Sequence, residues 1–181
     1  KKFKLKNMSY ISVDVESDGS IIGINSMVSF GAVIVEPSLS NRFYGQVKPI
    51  SKQFNPEALA ISGFSREEHE KFDDPFDVMP KFAQWIMENS KGKPILVSDN
   101  NGYDAGWIQY YMQVYNGGKN PFGWSSRRIG DLYCGLVKDS RAQWKHLRGS
   151  YNHTHNALDD SLANANALLE IQKLGLKIDL T

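Results

Sequence analysis

Residues 10–16 read Tyr-Ile-Ser-Val-Asp-Val-Glu, the first strongly patterned element of the chain. Its apolar and polar side chains alternate strictly, a pattern that predicts a β-strand with one buried face. The buried face carries Ile11, Val13 and Val15. The opposite face carries Asp14 and Glu16, so both carboxylates project in the same direction from backbone positions roughly 6–7 Å apart.

The rest of the chain supplies strands first and helices later. Two further strands are predicted at 27–35 and 42–48, and a short apolar strand at 94–98. Caps and helical periodicity predict short helices after Asn55 and Ser65, and longer helices at 76–89, 104–115, 131–138 and 159–174. The order β-β-β-α-β-α-α predicts an α/β domain in which helices pack on a mixed sheet.

Two predictions concern side chains within these helices. The helical spacing of Trp107, Ile108, Tyr111 and Val114 predicts a stripe that faces the core. His69 directly follows two glutamates, and we interpret it as part of a solvated helix face.

The composition is that of an ordinary globular domain. The chain has 181 residues and a net charge of +1, which excludes a polycation that holds nucleic acid by bulk charge. Its single cysteine, Cys134, excludes an intramolecular disulfide and favours a reducing compartment, so a cytoplasmic protein is expected. No apolar run approaches the ~20 residues that cross a bilayer, so no membrane partner is expected. Residues 1–8 are interpreted as an N-terminal arm or a remnant of vector sequence, and 9–181 as one domain.

The paired carboxylates of Asp14 and Glu16 predict a cation site. Like charges this close repel each other unless a cation lies between them, and such oxygen ligands suit Mg²⁺ or Mn²⁺ rather than zinc. A solvated strand face is the alternative interpretation. A calcium loop that begins at Asp14 is disfavoured, because its twelfth position is Asn25 instead of a bidentate glutamate.

Two other segments carry candidate chemical groups. Residues 155–160 read His-Asn-Ala-Leu-Asp-Asp and place a histidine just before a helix whose first turn holds Asp159 and Asp160. A histidine titrates near neutral pH and can take a proton from water, whereas one of the two aspartates is expected merely to complement the helix dipole. Residues 99–104 read Asp-Asn-Asn-Gly-Tyr-Asp, which taken alone are ordinary turn and helix-cap residues.

In this order, the three segments resemble the motifs of the DEDDh branch of the DnaQ-like 3′–5′ exonuclease superfamily, which includes proofreading exonucleases, oligoribonuclease and ribonuclease T. The matching residues are Asp14-Val15-Glu16 for the first motif, Tyr103-Asp104 with Asn100 for the second, and His155, Ala157 and Asp160 for the third. Residues 59–64 resemble the segment that lies beside the terminal nucleotide in that family. The resemblance runs from about Ser9 to Lys173, nearly the whole chain.

The resemblance implies a ribonuclease-H-like fold, a mixed five-stranded sheet with helices on both faces. It also implies two Mg²⁺ or Mn²⁺ ions. Asp14 is the implied ligand of both ions, Glu16 and Asp160 of the ion beside the attacking water, and Asp104 of the other ion. His155 is the implied general base. The implied contacts to the substrate are Ser17, Gly63, Phe64, Asn100 and Tyr103.

The chain departs from the family pattern at two places. Ser17-Asp18 stands where the first motif usually continues with Thr-Gly, and Asp99 stands where the second motif often has histidine. Both Asp18 and Asp99 are therefore expected to add negative charge near the metal site.

The predicted function is metal-dependent 3′–5′ hydrolysis of single-stranded nucleic-acid 3′ ends, releasing nucleoside 5′-monophosphates. RNA is slightly favoured over DNA by analogy with compact family members. The alternative is a nucleic-acid-binding or protein-docking module that kept the fold but lost turnover. Several members of the family form dimers, so a homodimer is also expected. The basic and aromatic segment 141–151 and the pair Arg127-Arg128 are candidate contacts to a single strand.

Overall fold

A five-stranded mixed sheet organises the computed structural model, which describes residues 7–151, 153–178 and 180. The strands are β1 (Met8–Ser17), β2 (Met27–Ile34), β3 (Arg42–Gln46), β4 (Lys93–Ser98) and β5 (Ser126–Arg128). Their order across the sheet is β3-β2-β1-β4-β5. The pairs β1–β2 and β2–β3 are antiparallel, whereas β1–β4 and β4–β5 are parallel. The strand with the paired carboxylates therefore lies at the centre of the sheet.

Helices cover both faces of this sheet, as expected. They are α1 (Pro56–Ile61), α2 (Arg66–His69), α3 (Pro75–Asn89), α4 (Asn101–Tyr115), α5 (Ile129–Val137) and α6 (Ala157–Lys173), with a 3₁₀ turn at Lys145–Arg148. On one face, α3 and α4 enclose a core that includes Val13, Phe82 and Trp107. On the other face, α5 and α6 enclose a second core that includes Val97 and Leu168. No helix within the described residues is long and apolar enough to cross a membrane.

The elements agree with the predicted ones except at a few places. The sequence pattern does not predict the short edge strand β5, because Ser-Arg-Arg has no apolar alternation. The predicted arm at 1–8 lies largely outside the described residues, and β1 begins at Met8.

Two side-chain predictions were wrong. Val114 is 43% exposed, because the buried stripe of α4 continues through Met112 and Tyr115 instead. His69 is fully buried, because α2 packs on β2 and the imidazole Nε2 lies 3.3 Å from the carbonyl oxygen of Met27. The other three members of the predicted stripe, Trp107, Ile108 and Tyr111, are buried as expected.

Candidate active site

Three carboxylates meet on the α6 side of the central strand. Asp14 and Glu16 project from β1, and Asp160 projects from the first turn of α6. Oxygen atoms of the three side chains lie within 4.8 Å of one another. At this spacing one divalent cation can bind all three, so the predicted convergence of the first and third motifs is present in the structure.

The position of α6 explains how Asp160 reaches this cluster. Asn156 caps the helix by accepting hydrogen bonds from the backbone N–H groups of Leu158 and Asp159. The first turn then lies directly on β2, where the hydroxyl of Ser161 donates to the carbonyl of Gly31 at 2.8 Å. Since Gly31 pairs with Asp14 across the sheet, this contact brings the start of α6 to the level of the first carboxylate.

Asp104 enters the site from the opposite side of β1. The described pairing of β1 with β4 ends at Ser12, so the backbone N–H of Val15 has no strand partner there. Asp104 Oδ1 accepts a hydrogen bond from this N–H at 3.2 Å. The second motif is thereby attached to the backbone between Asp14 and Glu16, which places the fourth acidic side chain beside the other three.

Burial and mutual repulsion disfavour the charged form of these carboxylates. Burial raises the pKa of Asp14 well above its usual range, and the charges of Asp104, Glu16 and Asp160 raise it further. Burial raises the pKa of Glu16 to about 8, with contributions from Asp160 and Asp104. Burial likewise raises the pKa of Asp104 to about 7, against hydrogen bonds that lower it.

The donor set fits divalent ions that prefer oxygen ligands. Asp104 Oδ2 is buried and has no hydrogen-bond partner among the described residues, so this atom has a free lone pair beside the cluster. A cation there would satisfy that oxygen and offset the repulsion that raises the pKa values of Asp14 and Glu16. Carboxylates without thiolate ligands are the donors that Mg²⁺ and Mn²⁺ select.

Two histidines, His155 of the third motif and the nearby His153, lie close to Asp160. The backbone N–H of His155 donates to Asp160 Oδ2 at 3.1 Å, and the residue has a positive φ of 56°. His153 places its Nδ1 2.8 Å from the same oxygen. Both side chains are exposed, and their ring centroids are 4.2 Å apart. The structure thus holds the predicted base at the edge of the cluster, with a second imidazole next to it.

The residues predicted to contact substrate lie at the end of β1, at the start of α4 and between α1 and α2. The hydroxyls of Ser17 and Tyr103 share a hydrogen bond, which joins the end of β1 to α4. Asn100 is exposed at the start of α4, and its side chain does not cap the helix. Gly63 is exposed with a φ of 82°, and Phe64 packs edge-on against Phe72. 

Asp18 carries a charge that another residue neutralises. Its side chain is fully buried, accepts a hydrogen bond from the backbone N–H of Ser26, and pairs with Arg66 at 2.9 Å. Arg66 also donates to the carbonyl of Ser51. The expectation of added negative charge near the metal site is therefore wrong for Asp18, because its carboxylate joins the β1–β2 loop to α2.

Asp99 is also paired, and its partners include a residue that the motifs did not indicate. Lys145 Nζ lies 2.9 Å from Asp99 Oδ2, and Arg148 Nη2 lies 3.4 Å from it. Besides burial, the Asp99 charge nevertheless contributes to the raised pKa of Asp104, as expected for negative charge at this position. The buried Arg148 also donates twice to Asn164, one helical turn after Asp160. Its positive charge opposes the rise in the pKa of Asp14. Asn164 lies four residues after Asp160, so helical spacing places both side chains on the same face of α6. This spacing is the sequence signal that could have indicated Asn164.

Comparison with known proteins identifies one close relative in sequence and many in structure. No family model matches the chain. A 3′–5′ DNA exonuclease of Escherichia coli, Cap18, is 37% identical over 182 aligned positions, which cover 93% of this chain and 94% of the relative.

The structural relatives share the fold at low sequence identity. The nuclease domain of 3′hExo, a DEDDh family member bound to rAMP, superposes with a TM-score of 0.77 at 19% identity, covering 96% of both chains. E. coli exonuclease I in complex with a dA16 oligonucleotide gives a TM-score of 0.69 at 15% identity, covering 92% of this chain and 41% of that one.

These matches agree with the geometry of the site. The sequence relative spans nearly the full length of both chains, and the structural relatives include a DEDDh nuclease of the same extent. The acidic residues that form the motifs lie together around β1, as the family pattern implies. The chain belongs to the DEDDh branch of the DnaQ-like 3′–5′ exonuclease superfamily.

Proposed function

We propose that this protein is a metal-dependent exonuclease that removes nucleoside 5′-monophosphates from the 3′ ends of single-stranded DNA. The observation that carries the proposal is the convergence of Asp14, Glu16 and Asp160 within 4.8 Å, with Asp104 attached to the backbone between the first two. Four acidic groups around one central strand are unfavourable without cations, and a two-ion site is the arrangement that phosphodiester hydrolysis uses.

The choice of DNA is based on the sequence relative. The relative named a 3′–5′ DNA exonuclease is 37% identical over nearly the whole chain. The slight preference for RNA expected from the sequence was based on analogy with compact family members, whose similarity here extends to the fold alone. We therefore propose DNA as the better substrate, and RNA is the alternative that the experiment below tests.

The four carboxylates would hold the ions in the pattern that the motifs imply. Asp14 would bind both ions. Glu16 and Asp160 would bind the ion on the α6 side, beside the attacking water, and Asp104 would bind the other ion. When bound, the ions neutralise charge at the scissile phosphate and lower the pKa of a nearby water. 

The remaining residues position the substrate and move the proton. The exposed imidazole of His155 would take a proton from the attacking water, because its backbone is held by Asp160 at the edge of the cluster. The hydroxyl pair of Ser17 and Tyr103 lies at the end of β1, where it can contact the terminal sugar. Phe64 and Gly63 would form the wall beside the terminal base, and Asn100 would contact the substrate from the start of α4.

Product analysis on matched oligonucleotides tests the proposal. A 5′-labelled single-stranded DNA of about twenty nucleotides and its RNA counterpart are incubated with Mg²⁺ or Mn²⁺, each with an open or a phosphorylated 3′ end. We expect progressive shortening from the open 3′ end, slower cleavage of blocked ends, and faster turnover of DNA. Internal cuts in a circular strand would contradict an exonuclease. Binding without shortening would instead indicate the idle nucleic-acid-binding module.

A further inference from the structure

A cavity of about 300 Å³ lies beside α4, on the flank of this helix that faces the edge strand β5. Its walls come from the small residues Gly102, Ala105 and Gly106 of α4 and from the loop at 120–126. Its apolar floor includes Leu96 and Phe122. The volume is at the low end of the range for ligand sites, which suits one flat group rather than a large molecule.

An exposed tryptophan stands at the rim of this cavity. Trp124 is 83% exposed, more than any other large hydrophobic residue that the structure describes, and it makes no ring contact with another described residue. An open indole face is the type of surface on which bases of single-stranded nucleic acid stack.

The cavity wall also contains hydrogen-bonding groups with unused capacity. Gln109 accepts a hydrogen bond from Asn120 through its Oε1, but its Nε2 is buried without a partner among the described residues. Ser126 Oγ accepts a hydrogen bond from Asn101, which leaves the hydroxyl proton to donate. The N–H group of Gln109 and the hydroxyl of Ser126 are donors that match the carbonyl oxygens and ring nitrogens on the edge of a base. A buried donor without a partner costs free energy, which such a base would offset.

The cavity and the carboxylate site lie on opposite flanks of the first two turns of α4. Asp104 reaches towards β1, whereas Ala105 and Gln109 face the cavity next to β5. The width of a helix, about 10–12 Å with its side chains, separates the two flanks. At about 3.4 Å per stacked nucleotide, this distance corresponds to about three nucleotides of a single strand.

The start of α4 provides the surface between the two flanks. Asn100 does not cap the helix with its side chain, and Gly102 is exposed with open space where a side chain would be. The positive end of the helix dipole therefore faces solvent there, which favours a phosphate. The half-exposed guanidinium of Arg128 lies on the same side, where it donates to the carbonyl of Asp99 and pairs with the exposed Asp131 at 2.9 Å.

We propose that the cavity beside Trp124 is a second substrate subsite, which takes a nucleobase about three nucleotides upstream of the scissile phosphate. This inference rests on the proposed nuclease function for the identity of its ligand. The base stacks on the indole and its edge pairs with Gln109 and Ser126, while the backbone of the strand crosses the start of α4. A single strand engaged at both flanks remains bound as its terminal nucleotide leaves.

The test compares DNA oligonucleotides of two, four, six and eight nucleotides on the wild-type protein and on Trp124→Ala. The Kd of each 5′-labelled oligonucleotide is measured by fluorescence anisotropy with Ca²⁺, and KM and kcat are measured with Mn²⁺. We expect the variant to match the wild type on the dinucleotide and to bind the six- and eight-nucleotide strands roughly 5- to 150-fold more weakly. Trp124→Phe restores most of the affinity, because a phenyl ring also stacks.

Two controls make the outcome specific. Phe76→Ala removes another exposed aromatic side chain, at the far end of α4 beside Tyr115, and leaves binding at every length unchanged. Stacking on Trp124 also quenches the most exposed of the four tryptophans, so the eight-nucleotide strand quenches fluorescence in the wild type and not in Trp124→Ala. 

The outcomes separate this subsite from the proposed function. Equal binding by Trp124→Ala at all lengths, or a loss as large on the dinucleotide as on the longer strands, overturns the subsite. If the wild type binds strands in this length-dependent way but never shortens them, the nuclease proposal fails and the subsite remains. If the wild type shortens DNA and Trp124→Ala leaves KM and Kd unchanged, the subsite fails and the nuclease proposal remains.

Discussion

Gly31 on β2 and Ala157 at the start of α6 approach so closely that no side chain fits between them. A Cβ atom on Gly31 would lie 2.3 Å from the carbonyl oxygen of Ala157, which is backbone and cannot rotate away. Gly31 also pairs with Asp14 across the sheet. Asp160 lies three residues after Ala157. The contact therefore fixes the position along β1 at which Asp160 approaches the carboxylates of that strand.

The first prediction follows from this contact. Gly31→Ala should displace the first turn of α6 from the sheet, costing about 1–3 kcal/mol of stability as overpacking does. Because Asp160 moves with that turn, we expect weaker Mn²⁺ binding and a large loss of activity. Urea unfolding and calorimetric Mn²⁺ titration measure the two effects.

Gly135→Ala is the matched control for this substitution. Gly135 lies within α5, and a Cβ there would meet nothing within 4 Å. Alanine is favoured over glycine inside a helix by roughly 0.5–1 kcal/mol, so this variant should be slightly more stable and fully active. Unchanged Mn²⁺ affinity in Gly31→Ala would show that the Gly31 contact does not position Asp160.

The second prediction concerns the stability of the metal-free protein as a function of pH. The folded-state pKa of Glu16 is about 8 and that of Asp104 about 7, both above the ordinary values of carboxyl groups. Between about pH 4.5 and 8 the folded state therefore keeps protons that the unfolded state releases, so stability falls as pH rises. Asp14→Asn removes one of the repelling charges and should raise the Tm at pH 8 without divalent ions.

With saturating Mn²⁺, the wild type should have a higher Tm than Asp14→Asn, the reverse of the order without metal. The wild type gains about 2.7 kcal/mol at a metal concentration one hundred times Kd, whereas Asp14→Asn lacks the carboxylate that we propose binds both ions and should gain much less. Differential scanning calorimetry with and without Mn²⁺ measures both effects. Glu88→Gln, which removes an exposed charge on α3, should leave both Tm values unchanged. A metal-free Asp14→Asn that is less stable than the wild type at pH 8 would contradict the repulsion argument.

Much of the site could be predicted because its signals are local. Alternation places Asp14 and Glu16 on one face of a strand, and a capped helix start places Asp160 in a first turn. These features depend on a few neighbouring residues, and the order of the motifs then indicated that they meet. The family resemblance supplied the roles, which the sequence pattern alone left open.

The features that were missed depend on pairs far apart in the chain. Asp18 and Arg66 are 48 residues apart, and their opposite charges neutralise each other only in the folded chain. Arg148 and Asn164 likewise meet through the packing of the 3₁₀ turn on α6. A four-residue helix such as α2 is too short to show which of its faces is buried, so the burial of His69 had no signal in the sequence.

The third prediction tests the buried pair of Asp18 and Arg66. Arg66→Met leaves the fully buried carboxylate of Asp18 without its cation, which should cost about 3–5 kcal/mol. Adding Asp18→Asn should recover part of that loss, because the amide oxygen still accepts from Ser26. Glu70→Gln removes the exposed partner of the same arginine and should cost no more than about 1 kcal/mol. Urea unfolding of the wild type, Arg66→Met, Asp18→Asn and the double variant gives the coupling energy, and a coupling near zero would contradict the pairing.

The fourth prediction assigns the general base to one of two neighbouring histidines. His155 matches the family position, yet the imidazole whose Nδ1 lies 2.8 Å from Asp160 is that of His153. We assign the base to His155 because it occupies the histidine position of the third motif, whereas His153 has no counterpart in that motif. His155→Ala should therefore lower the single-turnover rate about 10²- to 10⁴-fold, while the Kd values for Mn²⁺ and DNA change little. His153→Ala should lower the single-turnover rate much less.

Single-turnover rates measured from pH 6 to 9 with saturating Mn²⁺, with and without added imidazole, decide between the two histidines. Imidazole should rescue His155→Ala in part and the slow rate should grow with pH, since metal lowers the pKa of the attacking water. A slow His153→Ala beside an active His155→Ala would assign the base to His153.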